Sequence, residues 1–459
     1  MRLTAAELAR AVGGEVVGDP EAVVTGAEVD SRRVAPGGLF VALPGENTDG
    51  HRFVADALCT GTAALVRRDV DLRPPPPGRA HVRVADPLVA YHLLAAVKRR
   101  KRPWRVAALT GSVGKTTTKE ILAALLAARF RVGASAGNRN SILGLPAQLL
   151  SQPPEVEVFV AEAGMSRPGE LDTLGGILRP DLLLYTRLGE VHSEFFGGMD
   201  GIVAAKGELL PHLSGDGTLI VNADDPHQAD YPRCVPRSIR VLRHGPGGDV
   251  AAHDVISEGL LGSRFRLVLP DEEAEVRIRL AGAHQVENLV AAAAAAAALG
   301  VAAAEIAAAA SALDAPPHRG QVRVTTDGVT VVDDSYNASP LAVRRALDLL
   351  RSTSGRRIAV LGEMRELSRA AGWHREIGEL AAASCDLLVA VGEELAAELA
   401  AGALAAGLSE AAVVVDADAA WDRLGRRLRD GDIVLVKGSN AIGLAHLVER
   451  IVGEKERVG

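Results

Sequence analysis

The stretch Val106-Ala107-Ala108-Leu109-Thr110-Gly111-Ser112-Val113-Gly114-Lys115-Thr116-Thr117 constrains this chain more than any other. An apolar run leads straight into a glycine-bearing loop, and the loop into a helical pattern with Ile121, Leu122, Leu125 and Leu126 as its stripe. Strand, loop and helix in that order make an anion cradle. Backbone N–H groups and the helix N-terminus point at phosphate oxygens, a lysine neutralises the outer phosphates, and a hydroxyl ligates Mg²⁺. The expected ligand is a triphosphate, with Lys115 on its outer phosphates and Thr116 on the metal. Leu109 stands where the common form of such loops has its first glycine.

A strand of this kind belongs to an α/β domain with a largely parallel sheet, and the flanking pattern agrees. Val156–Ala161, Leu182–Tyr185 and Thr218–Val221 read as buried strands between amphipathic helices. Glu162 follows the first of these and His192 lies in the loop beyond the second. Both are expected at the carboxyl edge of the sheet, where a carboxylate and an imidazole can join Thr116 around the metal of a bound triphosphate.

At 459 residues the chain exceeds one ordinary core, and domains of roughly 100–200 residues are expected. A helical pattern from Leu88 to Val97 ends in Lys98-Arg99-Arg100-Lys101-Arg102-Pro103, which marks the first boundary. Pro74-Pro75-Pro76-Pro77-Gly78 reads as a surface loop. The alanine-rich stretches Asn288–Leu299 and Ala302–Ala312 read as packed helices, and Ala315-Pro316-Pro317 marks the second boundary. A further α/β series follows, with strands near Val329–Val332, Arg357–Leu361, Leu387–Val391 and Ile433–Val436. Three units are expected, at 1–103, 104–315 and 316–459.

Composition narrows the function. Apolar residues at 48% and charged residues at 24% describe a folded globular protein. A formal charge of −7 leaves no basic footprint for nucleic acid, so an anionic ligand must be held by local groups. The basic run before Pro103 is a solvated helix end, with no interleaved aromatic. Three scattered cysteines, Cys59, Cys234 and Cys385, fit a reducing interior, and the longest apolar stretch, Leu289 to Leu299, is shorter than the ~20 residues that span a bilayer. The expectation is a cytoplasmic protein with no membrane insertion, acting as a monomer. A nucleotide switch would need a guanine-reading Asn-Lys-x-Asp, and Asn222-Ala223-Asp224-Asp225 lacks the lysine.

Further motifs carry a resemblance. Thr110–Thr117 is similar to the shortened phosphate loop of the Mur ligases, and Gly137-Asn138-Arg139-Asn140-Ser141 to the adjoining asparagine loop. Ala205-Lys206-Gly207-Glu208 resembles the segment whose lysine is carbamylated there, and Gly282-Ala283-His284-Gln285-Val286-Glu287-Asn288 the adenine-side segment, with Gln285 in place of asparagine. Asp333-Asp334-Ser335-Tyr336-Asn337-Ala338-Ser339-Pro340 is nearly the signature of the D-alanyl-D-alanine-adding branch, and the Asp-Asn-Pro-Arg motif of the diaminopimelate-adding branch is absent. The chain thus resembles the Mur ligase family nearly end to end. A folate or other amino-acid ligase with the same ATPase core is the nearer rival, and the octet at Asp333 and the UDP-sugar-like N-terminal region decide against it.

The resemblance implies an N-terminal α/β domain that binds a UDP-linked muramoyl tripeptide, a central P-loop ATPase domain, and a C-terminal Rossmann-like α/β domain that takes D-alanyl-D-alanine. It implies ATP and Mg²⁺, an acyl-phosphate intermediate, and catalytic roles for Lys115, His192 and Lys206. ATP would be held by Gly111, Ser112, Val113, Gly114, Lys115, Thr116 and Thr117, with Asn288, Arg319 and Asp334. The metal would be held by Thr116, Glu162, His192 and a carbamylated Lys206. Ser31 and Arg32 of Asp30-Ser31-Arg32, with Asp49 and His51, would meet the UDP-substrate; Asn138, Asn140, Tyr336 and Asn337 would meet the acceptor.

Overall fold

Successive residues of a strand point to opposite faces of a sheet, and in this chain both faces of each large sheet are apolar. Val106, Ala108, Phe159 and Ala161 enter one core, while Ala107, Leu109, Val158 and Val160 enter another. A strand buried on both faces reads as continuous hydrophobicity and pairs in parallel, with helices covering each side. The computed structural model describes residues 1–45, 48–191 and 193–456.

The central sheet has six parallel strands in the spatial order Arg240–His244, Thr218–Asn222, Leu182–Tyr185, Arg105–Thr110, Val158–Glu162, Val132–Ala134. The chain leaves Arg105–Thr110 towards one edge and later returns to its other side. The strand order therefore reverses beside Thr110, and a crevice opens at the carboxyl ends there. Glu162 is the last residue of its strand rather than the first beyond it. Helix Ala283–Ala298 starts earlier than the alanine run suggests, so Gln285 and Asn288 ride on its first turns.

The first sheet has five strands, Glu15–Gly18, Ala80–Val84, Ala63–Arg67, Gly38–Val41 and Gly26–Glu28, parallel except for the outermost pair at Glu15–Gly18. Leu39, Val41 and Leu65 face the same core that Val106, Leu145 and Phe159 enter, so this unit is packed onto the central one through continuous apolar contact. Tyr91 and Leu94 of helix Pro87–Arg100 lie in that core.

The last sheet runs Gln321–Val324, Thr330–Asp333, Asp432–Lys437, Arg356–Gly362, Leu387–Val391, Ala411–Val414, parallel apart from its first pair. One piece lies outside the α/β pattern. Ala251–Ser257, Ser263–Val268 and Glu273–Ile278 form an antiparallel sheet, and its Phe265, Leu267, Val276 and Ile278 cover helix Ala283–Ala298. The architecture is three α/β units, the central one carrying this extra sheet. Among the described residues no helix is long and apolar enough to cross a membrane.

Candidate active site

The glycine loop sits between strand Arg105–Thr110 and helix Lys115–Ala127. Two glycines are needed for steric reasons. Gly111 passes so close to the Thr186 hydroxyl that a Cβ would overlap it, and Gly114, at φ +84°, presses on the Asn288 carboxamide in the same way. Thr186 also clasps the loop, its hydroxyl donating to the Val113 carbonyl at 2.8 Å. The backbone N–H of Ser112 donates to the Arg187 carbonyl at 2.9 Å. Lys115 curls over the loop and donates to the Ser112 carbonyl at 3.1 Å. Burial lowers its pKa, Glu162 nearby opposes that, and Arg319 adds to the lowering.

The loop lines a cavity of about 560 Å³ that the central and last units share. Residues Ser112 to Thr117 form its floor, and Asn138, Asn140, Glu162 and Lys206 one wall. Arg319, Asp334, Tyr336 and Asn337 of the last unit and Asn288 complete the lining. Residues from seven separate stretches of sequence are thus brought together. Asp334, Tyr336 and Asn337 follow the strand Thr330–Asp333, and Lys437 ends the neighbouring strand. That adjacency explains why Lys437 donates to the Asp334 carboxylate at 2.6 Å and to the Asn337 carbonyl at 2.9 Å.

Contacts cross the cavity. Arg319 donates to the Thr116 hydroxyl at 3.1 Å, and its guanidinium lies 3.8 Å from the Tyr336 ring centroid. Tyr336 and Asn138 line the cavity together, and burial raises the Tyr336 phenol pKa. Trp373 donates its indole N–H to Glu190 at 3.1 Å, which pins the loop leading to His192. His192 itself lies outside the described residues.

A divalent cation fits this chemistry. Glu162 is almost wholly buried; Asn140 donates to its Oε1 at 2.7 Å, while Oε2 has no partner. A buried carboxylate oxygen without a donor is costly unless a cation or water meets it. Among the described residues no three His, Cys, Asp or Glu side chains gather; the Thr116 hydroxyl and substrate oxygens are ligands of the kind magnesium prefers. Lys206 is nearly fully buried beside this carboxylate. Burial first, and Lys115 second, push its pKa well below the ordinary lysine value.

The four residues expected at the UDP-substrate stand away from this cavity, on the first unit. Ser31 and Arg32 lie in the one-turn helix Ser31–Arg33, and the exposed Arg32 pairs with Asp30 at 2.8 Å. His51 has no free nitrogen for a ligand. Its Nδ1 meets Asp49 at 2.6 Å and its Nε2 accepts from the Arg67 N–H at 2.9 Å, so Asp49 and His51 fasten their own loop. Asn140, expected at the acceptor, is taken up by Glu162.

Other residues take part without having been singled out. Lys119, fully buried one helical turn after Lys115, donates to the Ser135 carbonyl at 2.6 Å, and the Ser135 hydroxyl accepts from the Glu162 N–H at 3.0 Å. A charged residue on the apolar stripe of the loop's helix is the signal that betrays it. His284 lines the cavity facing Asp334, Arg345 and Lys437, and burial lowers its pKa to about 4. Arg345 donates to Glu287 at 2.5 Å from a helix whose local sequence marks no site.

The comparisons agree with this geometry. Models of the Mur ligase family match along the chain: the catalytic domain over residues 23–129, the middle domain over 109–296, and the glutamate ligase domain over 318–440. A UDP-N-acetylmuramoyl-tripeptide--D-alanyl-D-alanine ligase of Mycobacterium tuberculosis is 36% identical, with 99% of this chain and 98% of that protein aligned. The protein so named from Escherichia coli is 32% identical, with 98% of each covered. Among solved structures, MurF from Acinetobacter baumannii superposes with a TM-score of 0.88 at 30% identity over 99% of both chains. MurF ligase from Thermotoga maritima in complex with ADP gives 0.81 at 30% identity over 95% of this chain and 99% of that one. From its phosphate loop to the far wall of its cavity, this chain belongs to the Mur ligase family.

Proposed function

We propose that the chain is the ATP-dependent ligase that joins D-alanyl-D-alanine to UDP-N-acetylmuramoyl-tripeptide, forming the pentapeptide precursor in peptidoglycan synthesis. The observation that carries this reading is the shared cavity, where the phosphate loop of one sheet faces Arg319, Tyr336 and Asn337 at the carboxyl end of another. We take the units as 1–103 for the UDP-substrate, 104–315 for ATP and 316–459 for the acceptor.

A carboxylate is a poor electrophile, so it is first phosphorylated. An oxygen of the tripeptide's terminal carboxylate bonds to the γ-phosphorus of ATP, the bond to the β,γ-bridging oxygen breaks, and ADP leaves. The amine of D-alanyl-D-alanine then bonds to the acyl carbon; the carbon–oxygen bond to phosphate breaks, and inorganic phosphate and a proton are released. Lys115 and the N–H groups of residues 111–117 bind the phosphates, Asn288 supports the loop from below, and Arg319 and Asp334 approach the nucleotide from the third unit. Burial leaves Lys115 short of counter-charge until phosphate arrives. Thr116, Glu162 and His192 would hold magnesium, which would supply positive charge to the transferring phosphoryl group.

Lys206 completes that set as a carbamate. Its depressed pKa favours the neutral amine, which would add to carbon dioxide with loss of a proton and become an anion that a cation can accept. Tyr336, Asn337 and Asn138 are proposed to seat the acceptor, with Asn140 orienting Glu162. Ser31 and Arg32 are proposed to meet the uridine diphosphate, Arg32 exchanging Asp30 for phosphate, while Asp49 and His51 hold the adjoining wall. The chain is proposed to work as a cytoplasmic monomer, consistent with three free thiols at Cys59, Cys234 and Cys385.

ADP release tests the reading. It is expected only when the tripeptide nucleotide and D-alanyl-D-alanine are both present, with a product whose mass equals their sum less water. Release independent of the dipeptide, with no joined product, would overturn it.

A further inference from the structure

Three consecutive residues of the asparagine loop reach into three different units. Asn138 lines the cavity shared with Tyr336 of the last unit. Arg139 reaches Glu28 of the first, its Nη2 lying 2.6 Å from Oε1 and 2.8 Å from Oε2. Asn140 donates to Glu162 of the central unit at 2.7 Å, opposite the oxygen that has no partner.

The ion pair in the middle is a built feature. The two side chains are only 19% and 13% exposed, 111 residues apart in sequence. Glu28 ends the edge strand Gly26–Glu28, and Arg33, at the far end of the turn carrying Ser31 and Arg32, lies 3.9 Å from its Oε2. Asp30, between them, caps that turn. On the other side the loop has little slack. The Asn140 carbonyl accepts from the Gly164 N–H at 2.9 Å, and a Cβ on Gly164 would press on the Asn140 carboxamide. The Leu143 carbonyl is held by the Tyr91 hydroxyl at 3.0 Å and the Ile142 carbonyl by His92 at 2.7 Å, both on helix Pro87–Arg100. A shift of the turn at residues 30–33 is therefore passed through Glu28 and Arg139 to the residue that orients Glu162.

We propose that Glu28 and Arg139 are a positioning pair that couples occupancy of the UDP-substrate unit to the placement of the Glu162 carboxylate in the nucleotide site. The inference rests on the proposed function, which puts the UDP-substrate at the turn and a magnesium-bound nucleotide at Glu162. Coupling of this kind is reciprocal, so it is measured by binding alone.

The test is calorimetric titration of the full-length protein with the magnesium complex of a non-hydrolysable ATP analogue, with and without saturating UDP-N-acetylmuramoyl-tripeptide. In the native protein the tripeptide nucleotide is expected to tighten analogue binding about 5-fold. In E28Q and in R139Q the ratio falls to near unity, and in the double variant it falls no further, because either change breaks the same link. The charge reversal, Glu28→Arg with Arg139→Glu, restores part of the ratio. Melting temperatures identify any variant that fails to fold, and the reversal then carries the test.

An unchanged ratio in E28Q and R139Q, or no ratio in the native protein, would overturn the proposal. E162Q separates this failure from failure of the underlying reading. It should weaken the analogue only when magnesium is present; if it binds as the native protein does, both the metal assignment and the coupling fall.

Discussion

Arg319 donates to the hydroxyl of Thr116 across 3.1 Å, although 203 residues separate them and they belong to different units. Thr116 is the hydroxyl expected on the metal, so Arg319 stands where the third unit meets the phosphates. Stacking on Tyr336 fixes the guanidinium plane. Arg319→Ala is expected to lower kcat by about 10²–10³-fold, the range for removing one preorganised donor at a developing charge. Arg319→Lys keeps the charge but loses the stack and the planar fork, and should recover only part. Steady-state ADP release checks both; a variant changed only in KM for the tripeptide nucleotide would place Arg319 elsewhere.

Lys206 is expected to carry a carbamate. Lys206→Met should lower activity by about 10–100-fold, the usual cost of losing a group that supports a metal site. The protein should still melt near the native temperature, because a buried amine is replaced by an apolar chain of similar length. Mass analysis under alkaline, bicarbonate-containing conditions should find a carbamate adduct in the native protein and none in the variant. Equal activity of the two proteins would remove Lys206 from the site.

Gly114→Ala strains the backbone at φ +84° and drives a methyl group into the Asn288 carboxamide. The expected loss is about 1–3 kcal/mol of stability, with nucleotide binding reduced by more than the unfolded fraction accounts for. Urea unfolding with a parallel binding titration separates the two effects. A variant of native stability and affinity would mean that the loop does not need glycine there.

The buried imidazole of His244 makes the fold acid-sensitive. Burial lowers the pKa of His244 to about 4, and its Nε2 is 3.0 Å from the Tyr185 carbonyl. The folded value lies below the ordinary 6.5, so the unfolded chain binds more protons between the two, and stability present above about pH 6.5 is lost as the pH falls towards 4. The loss attributable to His244 is on the order of 3 kcal/mol over that window. His244→Gln, whose amide can still donate to Tyr185, should flatten the acid limb of a plot of urea midpoint against pH. An unaltered slope would contradict the assignment.

Features written in contiguous residues were legible before the fold was known. The glycine loop is one strand, one turn and one helix, so Gly111 to Thr117 declare their chemistry locally. Glu162 could be placed because a strand end is readable from the apolar run before it. Contacts between distant segments left no such trace. Arg345 sits on an ordinary amphipathic helix, and nothing near Glu28 announces an arginine on the asparagine loop. The antiparallel sheet at 251–278 did have a signal, since Phe265 and Leu267 alternate with Arg264 and Arg266, but the alternation lies within a series of buried parallel strands. His51 shows the converse. Its sequence context points to a ligand, whereas the fold commits both nitrogens to Asp49 and Arg67.

The central claim is that the tripeptide carboxylate is phosphorylated before the dipeptide captures it. Labelling that carboxylate with heavy oxygen and analysing the released inorganic phosphate by mass spectrometry tests it most directly. Transfer of one labelled oxygen to phosphate in each turnover is the predicted result. Unlabelled phosphate accompanying joined product would contradict the account.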